Sequence, residues 1–251
     1  MLATGVHEEK IRRTAQASQV ACSGCNLQGL CMPVALSCRA LKRLDAIIGA
    51  PRNFSRGRHL YRSGDPFKAL YVVRAGFFKT DVLNRNGNEQ VSGFHMAGEL
   101  LGLDGIGSQA HACGAVALED SEVCLIPFPQ LQALSGEIRP LQHHLHKLMS
   151  REIVRDHGML LLLGTLRAEE RLAAFLLNLS QRFAARGHSA TEFRLRMTRG
   201  EIGSYLGLHL VTVSHVLSRF QEGGLITVKL KHIRILDTDR LRSATGQAGL
   251  H

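Results

Sequence analysis

At 251 residues the chain is long enough for two domains, each with its own core. A hydrophobic share of 45% suits a globular protein, and no apolar run approaches the roughly 20 residues that a bilayer-spanning helix needs. The net charge of +10 points to a polyanionic partner, most simply nucleic acid.

The N-terminus carries Glu8, Glu9, Lys10, Arg12 and Arg13 with no apolar block after them, so it does not read as a secretory signal. A cytoplasmic location is therefore expected, and six cysteines kept reduced there call for a role other than disulfides. Three of them fall in Cys22-Ser23-Gly24-Cys25-Asn26-Leu27-Gln28-Gly29-Leu30-Cys31. The spacing is Cys-x2-Cys-x5-Cys, and two glycines let the backbone fold tightly around a centre. Converging thiolates select zinc, copper(I) or an iron–sulfur cluster. A second Cys pair of the kind that zinc sites favour is missing, so a fourth ligand must come from Cys38, Cys113 or Cys124. After Pro33, the pattern predicts a short amphipathic helix over Leu36 to Ile48, ending at Gly49 with Pro51 beyond.

Residues 51 to 137 hold eleven of the 25 glycines and no long helical stripe. Leu70 to Val73 and Phe77 to Val82 flank Gly76, and Asn86-Gly87 signals a hairpin before Glu89 to Met96. Val116 to Leu118 and Val123 to Ile126 are further predicted strands, the last closed off by Pro127 and Pro129. This is the pattern of a small antiparallel roll or barrel.

From Ile138 the period changes. Leu145, Met149, Ile153, Leu160 and Leu163 form one helical stripe, the signature of a helix that packs along a partner. Asp156 interrupts it. In a two-fold pair each Asp156 meets or approaches its own copy. Two carboxylates about 4 Å apart repel by ~1 kcal/mol in water and ~4 kcal/mol near a protein surface. Such a seam is weak unless something else closes it.

Beyond Gly164, Glu169 to Ala184 reads as an amphipathic helix with Leu172, Phe175, Leu176 and Leu179 inward. Thr198-Arg199-Gly200-Glu201 is a capping box, opening a helix that stops at Gly207. A second helix runs from about Leu210 to Gln221. Helix, glycine-containing turn, helix is the helix-turn-helix pattern. Val213, Val216, Leu217 and Phe220 are expected in its core, with Val211, Ser214 and His215 on the opposite, groove-facing side. Thr212 and Arg199 complete the candidate DNA contacts. Thr227 to Ile235 alternates as a wing, with Lys229, Lys231, His232 and Arg234 placed for phosphates. The expected fold is therefore α+β: a cysteine segment (1–50), an antiparallel β-roll (51–137), a long dimerisation helix (138–165) and a winged helix-turn-helix domain (166–251).

A roll followed by a long helix and a DNA-reading end resembles the cyclic-AMP receptor superfamily. In that superfamily a Gly-Glu stretch and an Arg-Ser pair hold the nucleotide phosphate. Gly98-Glu99 is present here, but the later segment reads His111-Ala112-Cys113-Gly114-Ala115, and no arginine lies between Arg85 and Arg139. A buried phosphate without a guanidinium is poorly compensated, which argues against nucleotide binding. With its cysteines, the chain is similar to the superfamily's oxygen-responsive branch, the fumarate and nitrate reduction regulator (FNR). The likeness covers Cys22 to Leu236. It is carried by Gly93-Phe94-His95-Met96-Ala97-Gly98, Val123-Cys124-Leu125-Ile126-Pro127-Phe128 and Glu169-Glu170-Arg171-Leu172-Ala173-Ala174-Phe175.

The resemblance implies a [4Fe–4S] cluster held by Cys22, Cys25, Cys31 and Cys124, with Cys38 and Cys113 left to packing. It implies a homodimer while the cluster is intact, conversion to a [2Fe–2S] form by oxygen, and RNA polymerase as a partner of roll loops such as Asn84 to Asn88. It also implies binding to inverted-repeat DNA. At the base-reading positions the family carries Glu, Ser and Arg, whereas this chain has Val211, Ser214 and His215, so an altered sequence preference is expected. Two other readings are a related regulator whose cysteines bind zinc or sense thiol oxidation, and a redox enzyme or electron carrier. No nucleotide fingerprint, nucleophile elbow or zinc-hydrolase motif supports the enzyme.

Overall fold

The computed structural model describes Cys25, Leu27, Leu30 and Cys31, then residues 36–83, 87 and 89–246. The chain divides into two compact units, residues 1–78 with 95–148 and residues 79–94 with 149–251.

In the first unit, helix α1 (Cys38–Ile47) begins two residues later than the apolar pattern indicated. Ser37 sets that start, because its hydroxyl accepts from the Ala40 N–H at 3.2 Å. The strands follow in order: β1 (Arg52–Phe54), β2 (His59–Tyr61), β3 (Ala69–Ala75), β4 (Phe77–Leu83), β5 (Glu89–Met96), β6 (Leu100–Leu101), β7 (Gly114–Ala117) and β8 (Ser121–Pro127); residues 79–94, which include most of β4 and β5, belong to the second unit. They form two four-stranded sheets, of order β1-β8-β3-β6 and β2-β7-β4-β5. The antiparallel register of β3 on β8 sets Leu70 opposite Ile126 and Val72 opposite Cys124.

Pro127 and Pro129 do more than end a strand. They open helix α2 (Phe128–Glu137), with proline in the first turn, where its missing N–H costs no hydrogen bond. Helix α3 (Arg139–Thr165) then runs 27 residues without a break. Described residues of this part of the chain gather into two apolar clusters. One gathers Leu44, Leu70, Val72, Ile126, Leu131, Leu134 and Leu141. The other lies around Val73, Phe78, Ala115 and Val123.

The second unit contains helix α4 (Ala168–Ala184), strand β9 (Glu192–Arg194), helices α5 (Arg199–Leu206) and α6 (Leu210–Glu222), strands β10 (Ile226–Lys229) and β11 (His232–Ile235), and helix α7 (Thr238–Ser243). Leu172, Phe175, Leu176 and Leu179 are buried, as the amphipathic pattern of α4 requires. Two elements were not expected. Strand β9 makes the wing a three-stranded sheet of order β10-β11-β9. Helix α7 is capped by Asp237, whose carboxylate accepts from the Arg240 N–H at 2.9 Å.

The turn between α5 and α6 depends on two glycines: Gly207 caps α5 at a φ of +63°, and Gly203 lets the chain return closely over the helix. A Cβ at Gly203 meets the Leu208 carbonyl oxygen at 2.5 Å, and that oxygen belongs to backbone that cannot swing aside. Gly203→Ala is expected to lower stability by about 1–3 kcal/mol through overpacking. Chemical denaturation followed by circular dichroism measures this; an unchanged midpoint contradicts it.

Candidate functional site

Cys25, Cys31 and Cys124 are half-buried free thiols, whereas Cys22 lies outside the described residues. Cys31 and Cys124 both pack against the first core. Cys31 sits on a tight turn, its thiol 3.5 Å from the Leu27 carbonyl. Leu30 rests on the roll at Gly98, where a Cβ would stand 2.8 Å from that of Leu30. Gly98 also has a φ of +85°, a conformation that side chains other than glycine rarely take. The Gly98-Glu99 stretch thus receives the cysteine segment, and Glu99 turns its carboxylate back to accept from the Met96 N–H at 3.2 Å.

Burial, and then the thiols of Cys25 and Cys124, push the Cys31 thiol up to about 12. Burial raises Cys124 as well, with Arg74 opposing and Cys25 adding to the rise. The two thiols from residues 25–31 are therefore within electrostatic reach of the one on β8. Among the described residues, no three His, Cys, Asp or Glu side chains form a group that would hold a metal ion. Packing describes Cys113, which is buried, but not Cys38, which is exposed at the start of α1.

The stripe on α3 divides. Leu145 is half-buried, packed in part against the first core of its own chain. Met149 is half-buried, and Leu163 lies 3.4 Å from a Cβ built on Gly207. Ile153 and Leu160 are 56% and 68% exposed, and Asp156 is exposed between them. Val154 and Leu161, absent from the predicted stripe, are exposed beside them and widen the apolar strip. A spacing of seven residues links Ile153 to Leu160 and Val154 to Leu161, which is the signal that identifies the second row.

In the reader, Val213, Val216, Leu217 and Phe220 are buried, and Val211 and His215 are exposed. Ser214 and Thr212 are half-buried on α6. Arg199, in the first turn of α5, donates from Nη1 to Ser214 Oγ at 3.0 Å. That contact leaves the serine hydroxyl proton free to donate to a base acceptor. It also brings a guanidinium to the face where His215 replaces the family's arginine. His209 precedes α6 without a side-chain cap, so the first-turn N–H groups stay open to a phosphate.

The predicted capping box on α5 is present. Thr198 Oγ1 accepts from the Glu201 N–H at 3.1 Å, and Glu201 Oε2 accepts from the Thr198 N–H at 2.7 Å. Glu201 also pairs with Lys79 of β4 at 3.4 Å, and Lys79 lies 3.9 Å from Asp81 and 3.8 Å from Glu89. The Val91 N–H on β5 donates to Ser204 Oγ at 2.9 Å. Burial raises the Glu201 carboxyl, but the Thr198 hydrogen bonds and Lys79 outweigh it and hold it below its usual range. A lowered folded value means that this stabilisation is complete above the ordinary carboxylate range and is lost as pH falls through the folded value. Glu201→Gln is expected to cost about 1 kcal/mol at pH 7 and to flatten the loss of melting temperature between pH 5 and pH 3. An unaltered acid slope in thermal melts rules this out.

Comparison with known proteins adds identity to this geometry. Residues 51–137 match the cyclic nucleotide-binding domain, and residues 170–244 match the Crp-like helix-turn-helix domain. The chain is 46% identical over 244 residues to electron transport regulator A of Shewanella oneidensis, covering 97% of this chain and 98% of that one. It is 46% identical over 243 residues to the fumarate and nitrate reduction regulatory protein of Escherichia coli K12, covering 96% and 97%. Among solved structures, FixK2 from Bradyrhizobium japonicum aligns with a TM-score of 0.74 at 28% identity, over 80% of this chain and 98% of that one.

Proposed function

Because the chain belongs to the FNR branch of the CRP/FNR transcription-regulator family, we propose that it is an oxygen-responsive regulator whose Cys22, Cys25, Cys31 and Cys124 hold a [4Fe–4S] cluster. It is a transcription regulator with a DNA-binding helix-turn-helix, not an enzyme. No helix among the described residues is long and apolar enough to cross a membrane.

The observation that carries the cluster assignment is the meeting of two distant segments. Leu30 seats on Gly98, and Cys31 and Cys124 share one apolar core. The donor set fits an iron–sulfur centre in kind: Cys25, Cys31 and Cys124 are soft thiols partly shielded from water, and Leu30 beside Cys31 is docked on the roll that supplies Cys124. Bound there, the group supplies an oxidisable tie between residues 22–31 and β8. The residues around it do the rest. Leu27 and Leu30 hold the segment down. The exposed strip of Ile153, Val154, Leu160 and Leu161 closes against a second copy, and Asp156 opposes that closure.

In the dimer, two copies of α6 enter successive major grooves of an inverted repeat, with half-sites about 34–36 Å apart. Val211 presses on a thymine methyl and Ser214 donates to a base acceptor, so the preferred half-site departs from the family's usual one. Residues 84–88 contact RNA polymerase; apart from Gly87 they lie outside the described residues.

Purification without oxygen, followed by absorption spectroscopy and iron and sulfide analysis, tests the cluster. A brown protein with about four irons per chain that bleaches in air is expected. A colourless, zinc-containing protein overturns the proposal in favour of the zinc-binding relative.

A further inference from the structure

The wing ends on a residue that the fold does not want there. Register pairs Lys229 with His232, leaving Leu230 and Lys231 as a two-residue turn. Leu230 has a φ of +57°, and it is 97% exposed. Tight hairpin turns of this kind favour glycine, asparagine or aspartate at such a position, because a side chain there crowds the backbone. A leucine both strains the turn and wets an apolar side chain, and neither penalty is offset inside the chain.

The turn around it is firmly held. The Leu195 N–H donates to the Lys231 carbonyl at 2.8 Å, and Lys231 Nζ donates to the Arg196 carbonyl at 3.2 Å. Strand β9 backs β11 up to His232, opposite Arg194. The wing follows α6 directly, and the Val228 N–H donates to Gln221 Oε1 of that helix at 2.9 Å. Leu230 thus projects from a rigid hairpin fastened to the base-reading helix. Lys229, His232 and Arg234 are exposed on the same hairpin.

We propose that Leu230 is a DNA contact: the wing tip lodges this side chain in the minor groove beside the half-site read by α6, with Lys229 on the flanking phosphates. The chemistry fits. Minor-groove walls are apolar sugar faces, and apolar wedges such as leucine are used there to widen the groove and bend the duplex. The surrounding positive charge supplies the phosphate anchoring that such a wedge needs. The proposal rests on the reading of α6 as the major-groove helix.

The test uses the full chain purified without oxygen, and a 40-base-pair duplex that it enriches from a random pool. Leu230→Gly is expected to raise the melting temperature, since the turn relaxes. The same substitution should weaken binding to the enriched duplex by about tenfold and reduce its bend. Leu230→Asn, which tolerates the same backbone but is polar, should lose affinity alike. Netropsin, a filler of A·T minor grooves, should compete with the wild type and much less with either variant. Unchanged affinity in both variants, with netropsin acting on all three proteins equally, overturns the wedge while leaving α6 as reader. If the wild type enriches no duplex at all, the reading of α6 falls and the wedge with it.

Discussion

Serine in place of Cys124 is expected to remove the iron centre outright and to leave a protein that neither pairs nor holds its DNA site without oxygen. The residue lies mid-strand on β8, opposite Val72, half-exposed beside the first core. Serine differs by one atom and cannot match a thiolate as a soft ligand. The strand itself should survive, because Val123 and Ile126, fully or almost fully buried on either side, are untouched. Folding and ligation are therefore separable: the melting temperature without iron should match that of the wild type stripped of metal. Iron analysis and sedimentation of the anaerobic protein decide the matter. A Cys124→Ser protein that keeps its full iron content moves the fourth ligand to another cysteine.

Asp156→Ala is expected to yield a dimer that persists in air. Asp156 is exposed on α3 between the apolar pairs Ile153/Val154 and Leu160/Leu161. Its i+4 neighbour Leu160 and its i−3 neighbour Ile153 place it at the edge of the strip that a second copy must cover. Two such carboxylates about 4 Å apart repel by up to ~4 kcal/mol near a protein surface. Relieving that repulsion tightens pairing by two to three powers of ten at most. Arg155 does not neutralise it, since it is paired with Glu152 at 2.9 Å. Sedimentation at several protein concentrations in air gives the association constant. A variant that stays monomeric at concentrations where the anaerobic wild type pairs refutes the repulsion account.

What could be read from the residues alone was what local physics decides. The capping box at Thr198 and Glu201 needs only four residues, and both of its hydrogen bonds are present. The inward side of α6 follows from helical spacing, and all four predicted side chains are buried. The α+β fold class followed from the change of period near Ile138. Strand β9 was missed because a three-residue strand with one buried side chain, Phe193, shows no alternation. Helix α2 was missed altogether because the prolines of a strand end and of a helix start look alike. Distance in sequence hid the rest. Nothing local tells that Leu145 serves its own roll, that Leu30 closes on Gly98, or that Arg199 reaches Ser214. Each is a contact that only the folded chain creates.

Lys79 has a consequence for how signals travel. Its ammonium group serves Glu201, in the first turn of α5, and also carboxylates on both β4 and β5. A shared charge of this kind works as a balance beam. Whatever shifts β4 or β5 loads the first turn of α5, and docking of that helix on a duplex loads the strands by an equal free energy in return. Duplex binding at α5 and displacement of β4 or β5 are then linked through a single lysine.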